Sequence, residues 1–440
     1  MRIGFIAMSG VRVRTEELAA LGVSLPGFVE RGHVIASLPS LAGLVLAALT
    51  PKDVDFEYIE VDDIKQHGLR TDFDLVAFSS FTAMANECYA LADQYRARGI
   101  PTVIGGLHAT LMPDEAKQHA DSVCVGEGEA LWPQIVADAK AGALQPFYRE
   151  ARRGGYDVAQ TPVPRYELLD LDRYNRITVQ TSRGCPLDCE FCAASKIFGA
   201  YRIKPVEQVM REIDAVIGMW RRPFIELADD NTFVNKAWSK QFLRELKKRD
   251  VRWFTETDVS VADDPELLDL LADSGCQQVL IGFETINPDS FNNLDRTDWK
   301  RKRFESYERA VDTIQSKGIT VNGCFILGLD ADTPAVFEAV RDFVRRVKLL
   351  ECQVTVLTPF PGTRLYDRLS AEGRLLRSEY WDRCTLFDVN YRPQRMSVAE
   401  LEAGMRWLFQ ELYSEEAHLG RKRHYIELQK KRLAAREPTA

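Results

Sequence analysis

Three of the nine cysteines fall within eight residues, in Arg183-Gly184-Cys185-Pro186-Leu187-Asp188-Cys189-Glu190-Phe191-Cys192. Thiolates are soft ligands for iron, copper and zinc, and three on one loop can hold three irons of a cubane while leaving its fourth iron open. An open coordination site means reactivity. Two plainer readings stand beside it: a zinc site completed from afar, and a chance cluster of buried thiols. A structural zinc site wants a fourth Cys or His close by, and none lies within about forty residues. Of the other cysteines, Cys88, Cys124, Cys276, Cys324 and Cys352 sit on apolar helix or strand patterns and are expected in the core. Cys324 and Cys384 are also candidates for an open rim.

Carboxylates recur where apolar runs end. Asp229, Asp230 and Asn231 close FIELADDN, and Glu284 closes QVLIGFE. A carboxylate there accepts strong bonds from an ammonium or a sugar hydroxyl, although Glu284 would serve equally as a helix cap. Nearer the N-terminus a second family of run ends is rich in small and polar residues: Ser79, Ser80 and Thr82; then Gly105, Gly106 and His108; then Gly126, Glu127, Gly128 and Glu129. Glycine presents no Cβ, so a ligand can approach the backbone. A lone histidine such as His108 is more often a structural hydrogen-bonder than a ligand.

These residues need elements that place them together. Residues 1–145 alternate apolar runs (RIGFIAM, DFEYIEV, DLVAFSS, TVIGGLH, SVCVGEGE) with helical patterns, which predicts a doubly wound parallel sheet, Rossmann-like, with ligands at the carboxyl ends of its strands. Residues 146–172, with Arg152–Gly155, Pro162 and Pro164, break the rhythm and are expected to be a linker. From 173 to 365 six β/α repeats follow, too few for an eight-stranded barrel but enough for a partial one open on one side. Residues 366–440 are helical in pattern. They turn basic at Arg421, Lys422, Arg423, Lys430, Lys431 and Arg432, read as a solvated helix face. Trp253 and Tyr307 fit either the substrate space or plain packing.

Composition removes other classes. Lys and Arg number 57 against 65 Asp and Glu, a net charge of −8, which disfavours nucleic acid as a partner. The uncharged stretch from Val34 to Pro51 is interrupted by Pro39 and is better read as a buried helix than a membrane span. The apolar run of the N-terminus is too short for an export signal, and scattered unpaired thiols suit a reducing cytoplasm.

The loop CPLDCEFC, with an aromatic before its third cysteine and placed after the first strand of a six-repeat partial barrel, resembles the radical S-adenosylmethionine (SAM) superfamily. That resemblance implies a 4Fe-4S cluster on Cys185, Cys189 and Cys192, with SAM chelating the remaining iron and cleaved by one electron from the cluster. An external reductant such as flavodoxin or ferredoxin would supply that electron. Phe191 would lie near the adenine, Asp229 and Asp230 near the amino group or substrate, and Glu284 near the ribose or amino group. Pro359 to Thr363 resembles the family's closing turn.

The N-terminal runs and TPVPRYELLD resemble the subfamily with a cobalamin-binding domain ahead of the radical domain. The cobalamin tail would then pass along Ser80, Thr82, Gly105 and Gly106, with Ser79, His108, Gly126 and Glu127 bordering the ligand. The Asp-x-His-x-x-Gly motif that places a histidine under cobalt is missing; His33 lacks the preceding aspartate. Either cobalamin binds without that histidine, which favours release of a methyl group, or the domain keeps only the fold. The function implied is methyl transfer to an unactivated carbon, or phosphorus, of a small metabolite. Transfer of the aminocarboxypropyl arm of SAM, a cyclisation, and a non-catalytic iron–sulfur carrier or sensor are the alternatives.

Overall fold

The computed structural model describes residues 1–8, 13–20 and 38–436. The first domain is a parallel sheet of β1 (Arg2–Met8), β2 (Asp55–Val61), β3 (Leu75–Ser79), β4 (Thr102–Gly105), β5 (Ser122–Val125) and β6 (Phe147–Arg149), in the order β2-β1-β3-β4-β5-β6. A parallel sheet is buried on both faces, and the sequence of β1 is apolar on both. Ile3, Phe5 and Ala7 join the core under helices Leu41–Leu49 and Gly128–Ala141, while Ile6 and Met8 join the core under Ala85–Arg96 and Pro113–His119. The chain leaves β1 for β2 on one side and returns to β3 on the other, so the crevice expected to take a ligand lies at the carboxyl ends of β1 and β3.

The second domain begins at β7 (Ile177–Val179) and immediately makes a small antiparallel pair, β8 (Ser182–Arg183) with β9 (Arg202–Ile203). Then come β10 (Phe224–Leu227), β11 (Arg252–Thr257), β12 (Cys276–Glu284), β13 (Thr320–Leu327) and β14 (Glu351–Val356), giving the parallel order β14-β13-β12-β11-β10-β7. Among the described residues β7 and β14 do not pair, so the barrel is open, as the six repeats predict. The outward residues of each strand, such as Val279, Ile281 and Phe283, meet the apolar stripes of the covering helices in one continuous core. Asn235 and Asp264 start two of those helices by accepting from Trp238 N and Leu267 N.

Several expectations need correction. The segment 146–172 is not all linker: Phe147–Arg149 adds a sixth strand beside β5, an edge too short for its pattern to show. The extension from 366 is not uniformly helical. Between helices Arg364–Ala371 and Val398–Tyr413 the chain runs back over the first domain, where Tyr380, Trp381 and Cys384 join its core. Cys384 is therefore a core thiol away from the rim. Arg421 is buried and donates to the Leu350 and Leu412 carbonyls, so it ties the last helix down and is not solvated. Trp253, whose Nε1 donates to Ser274 O, and Tyr307, packed on Phe283, are core residues. His33 and the first residues of the uncharged stretch lie outside the described residues; Leu41–Leu49 within it is a partly buried helix. No helix among the described residues is long and apolar enough to cross a membrane.

Candidate active site

The cysteine loop leaves the barrel at the carboxyl end of β7, and carboxylates fix its first residues. Asp229, buried after β10, accepts from Thr181 N at 2.7 Å, Ser182 N at 2.8 Å, Thr181 Oγ1 at 2.5 Å and Thr232 Oγ1 at 3.0 Å. With both oxygens engaged, Asp229 braces the loop and is not an open ligand for SAM, a correction to its expected role. Asp230 accepts from Gly184 N at 3.0 Å. Gly184 has φ +80°, and a Cβ there would stand 2.9 Å from Gly199 O, so glycine is required where the chain turns into Cys185. Asn231 donates to Asp258 Oδ2 at 2.8 Å and also bonds the Cys185 thiol.

Beyond the turn, ion pairs pin the loop from outside. Asp188 meets Lys196 at 3.3 Å, Arg296 at 2.7 Å and Arg364 at 2.7 Å. Burial raises its pKa, but these cations outweigh burial and hold the carboxyl below its usual range. Glu190 accepts twice from Arg368, at 2.7 and 3.1 Å. Cys189 is buried and bridges Asp295 through the backbone, while Cys185 and Cys192 are half-buried at the rim. Phe191 lies half-buried between the last two cysteines and packs on the barrel core.

None of the nine cysteines forms a disulfide. Burial pushes the Cys185 thiol up to about 11 and raises Cys189 as well, so both stay protonated until a metal displaces the proton. Cys192 lies within electrostatic reach of both. Among the described residues no three His, Cys or carboxylate side chains close around one point. Three sulfurs that each hold a different iron stand apart around a cubane, so the donor set fits a cluster better than a single zinc ion.

Glu284 caps no helix. It pairs with buried Lys300 at 2.7 Å, and Lys300 also donates to Gly282 O at 2.8 Å. Burial lowers the Lys300 pKa, yet the Glu284 carboxylate overrides it and holds the ammonium charged. The segment that delivers Lys300 is wound around Asp295, which accepts from Thr297, Trp299 and Lys300 backbone N–H groups. Sequence reasoning missed Asp295, Lys300 and Asp188. Only an Asp followed at short spacing by Thr and a helix start, the mark of an Asx turn, pointed to Asp295.

At the strand ends of the first domain the expected residues separate into two groups. Ser79, Ser80, Gly105 and Gly106 lie together: Gly106 has φ +89°, and a Cβ on it would come within 2.8 Å of Ser79 Oγ. At Gly105 a Cβ would meet Cys124 Cβ at 3.3 Å, so both glycines let neighbouring strand ends pack closely, and the ends of β3 and β4 present backbone and small side chains only. Beside them Phe81 is 54 % exposed, an aromatic at the rim that sequence reasoning passed over. The second group is structural. His108 is buried between Thr82 Oγ1 at 3.3 Å and Glu115 Oε1 at 3.2 Å and meets Trp381 edge-on. Thr82 and His108 are thus satisfied internally. Glu127, expected near the ligand, is instead buried against Arg183 at 2.7 Å and Arg202 at 2.8 Å, with Glu129 also on Arg183. The same correction covers Gly126, whose missing Cβ makes room for the Glu150 side chain.

Comparison with known proteins agrees with this layout. Residues 179–344 match the model of the radical SAM superfamily, residues 37–136 the B12 binding domain, and residues 363–439 a domain of unknown function, DUF4070. The chain is 30 % identical over 394 residues to an uncharacterized methyltransferase of Synechocystis, covering 87 % of this chain and 72 % of that protein. It is 27 % identical over 388 residues to bacteriochlorophyllide d C-12(1)-methyltransferase of Chlorobaculum tepidum, covering 86 % and 83 %. In fold it resembles the radical SAM methyltransferase TsrM of Kitasatospora setae, solved with cobalamin and a [4Fe-4S] cluster, with TM-score 0.67 at 16 % identity over 94 % of this chain and 88 % of that one.

Proposed function

This chain belongs to the radical SAM superfamily, in the branch with a B12-binding domain ahead of the barrel, and from that premise we propose that it methylates an unactivated carbon or a phosphorus of a small molecule. When bound, the 4Fe-4S cluster supplies the electron that splits a carbon–sulfur bond of SAM, and cobalamin supplies the methyl group. The observation that carries this reading is the loop of Cys185, Cys189 and Cys192, with no fourth cysteine on the loop, held at the barrel rim and tied through Arg183 to the β5 end of a B12-binding domain. Two relatives that align over 86 % and 87 % of this chain bear methyltransferase names, and two others are named as a magnesium-protoporphyrin IX monomethyl ester cyclase.

Each residue then has work to do. Cys185, Cys189 and Cys192 hold the cluster, Asp229 and Gly184 set the turn that presents it, and Asp188 and Glu190 anchor the loop's far side. Phe191, Asp230 and the Glu284–Lys300 pair are placed to orient SAM by its ring, ammonium and carboxylate. Ser79, Ser80, Gly105 and Gly106 form the slot for the cobalamin tail. A small one-electron donor protein such as flavodoxin or ferredoxin serves as reductant, and an oxygen-sensitive cluster suits a reducing cytoplasm.

The test is anaerobic reconstitution with iron, sulfide and hydroxocobalamin, followed by SAM and reductant. Cobalamin retained through gel filtration, with 5′-deoxyadenosine and S-adenosylhomocysteine as products, is the expected result, and Cys185→Ala abolishes cluster and products. Methylthioadenosine alone would mean transfer of the aminocarboxypropyl arm, and a fully loaded cluster that turns over no SAM would make the protein an electron carrier or sensor.

A further inference from the structure

The barrel strands are apolar outside and polar inside. On β11, Trp253 and Thr255 face the helices and are buried, while Glu256 turns into the lumen and is solvent-accessible there. The strand register continues one row from Glu256 to Leu280, Asn322 and Glu351, and a second from Gly282 to Cys324 and Gln353. Most polar groups of this surface are matched. Glu226 takes Arg176 at 2.5 Å, Glu284 takes Lys300, Glu351 accepts from Gln278 Nε2 at 2.9 Å, and the Cys324 thiol donates to Gln353 Oε1 at 3.7 Å.

On the Glu256 row two acceptors are left over. Glu256 is repelled by Glu226, Asp230, Glu284 and Asp229, and among the described residues its carboxylate accepts no hydrogen bond. Asn322 is 7 % exposed, and its Oδ1 is buried without a partner. A buried orphan acceptor is uncommon and calls for a partner. Glu256 and Asn322 stand two strands apart on one inward row, about 10 Å between backbones, with Glu256 open to the lumen and Asn322 Oδ1 closed to water. A carboxylate and an amide oxygen both ask for donors, and a cationic donor also relieves the crowded negative charge.

We propose that Glu256 and Asn322 select the substrate by a cationic nitrogen that donates several hydrogen bonds, an ammonium or amidinium group, held inside the barrel. This rests on the enzymatic reading above and narrows its substrate class, against a purely hydrocarbon or neutral substrate. A site built around such a donor rejects an analogue that lacks it, because its own acceptors are then left unpaired. Enclosure by the barrel walls, which thins the water around the carboxyl without excluding it, and the neighbouring carboxylates push the Glu256 carboxyl up to about 8, so it carries a proton near neutral pH until a bound cation displaces it.

Calorimetry on the full chain, cluster reconstituted and saturated with SAM but without reductant, tests this with benzamidine against benzamide in two buffers of different ionisation enthalpy. Benzamidine is expected to bind roughly 10- to 100-fold tighter than benzamide. It should also release about one proton per chain near neutral pH. Glu256→Gln removes both the preference and the proton release, and Glu256→Asp, which keeps the charge, retains them in part. Equal binding of the two probes, no proton release, or a preference that survives Glu256→Gln overturns the proposal. So does loss of benzamidine binding on saturation with SAM, which would assign these acceptors to the ammonium of SAM itself. Reductive cleavage of SAM, measured without either probe, reports on the enzymatic reading separately.

Discussion

Asp229 commits both carboxylate oxygens to the chain between β7 and β8, and it does so inside the protein. In Asp229→Asn one oxygen becomes an amide donor facing N–H and O–H groups that already donate, so stability should fall by about 2 kcal/mol. Urea unfolding gives the loss, and iron bound per chain after reconstitution should fall with it, because the loop loses its brace. Glu256 makes the opposite case. Its raised pKa means that ionisation in the folded state costs stability as pH rises from the unfolded value near 4.5 through about 8. Glu256→Gln is therefore expected to melt higher than the parent at pH well above 8 and to lose that advantage in mild acid. The cysteines were legible in the sequence because metal ligands on one loop keep a fixed spacing. Asp229 was legible only as a carboxylate at a strand end, since nothing in LADDNTF says which of two adjacent aspartates turns inward.

At the scale of elements, the β8–β9 pair turns the chain from β7 into the cysteine loop. Gly184→Ala places a Cβ against Gly199 O and forces a left-handed residue, a conformational cost of about 1–2 kcal/mol before the clash is counted. Reconstituted protein should show lower absorbance of the cluster and slower cluster uptake, with the fold retained by circular dichroism. Most strands and helices could be read from period and length, because a parallel strand buried on both faces is a short uninterrupted apolar run bounded by turn residues. Phe147–Arg149 escaped because it has three residues at an edge, and the segment around Trp381 escaped because its aromatic residues pack on a domain far away in sequence. Local pattern carries no signal for a contact whose partner is distant.

For the molecule as a whole, the B12-binding domain and the cysteine loop are joined by a buried ionic strut, Glu127 and Glu129 of the β5 end against Arg183 and Arg202 of the β8–β9 pair. Removing Arg183 leaves Glu129 buried without its ion-pair partner, while Glu127 keeps Arg202, so Arg183→Met should destabilise by about 3 kcal/mol. It should also open the inter-domain segment to proteolysis at lower urea than in the parent. The most direct test of the central claim, that three thiols leave one iron for SAM, is the electron paramagnetic resonance spectrum of the reduced, reconstituted protein before and after SAM labelled with a magnetic oxygen isotope in its carboxylate. A changed spectrum with hyperfine broadening from the label is the expected result; an identical spectrum with the cluster fully loaded would contradict it.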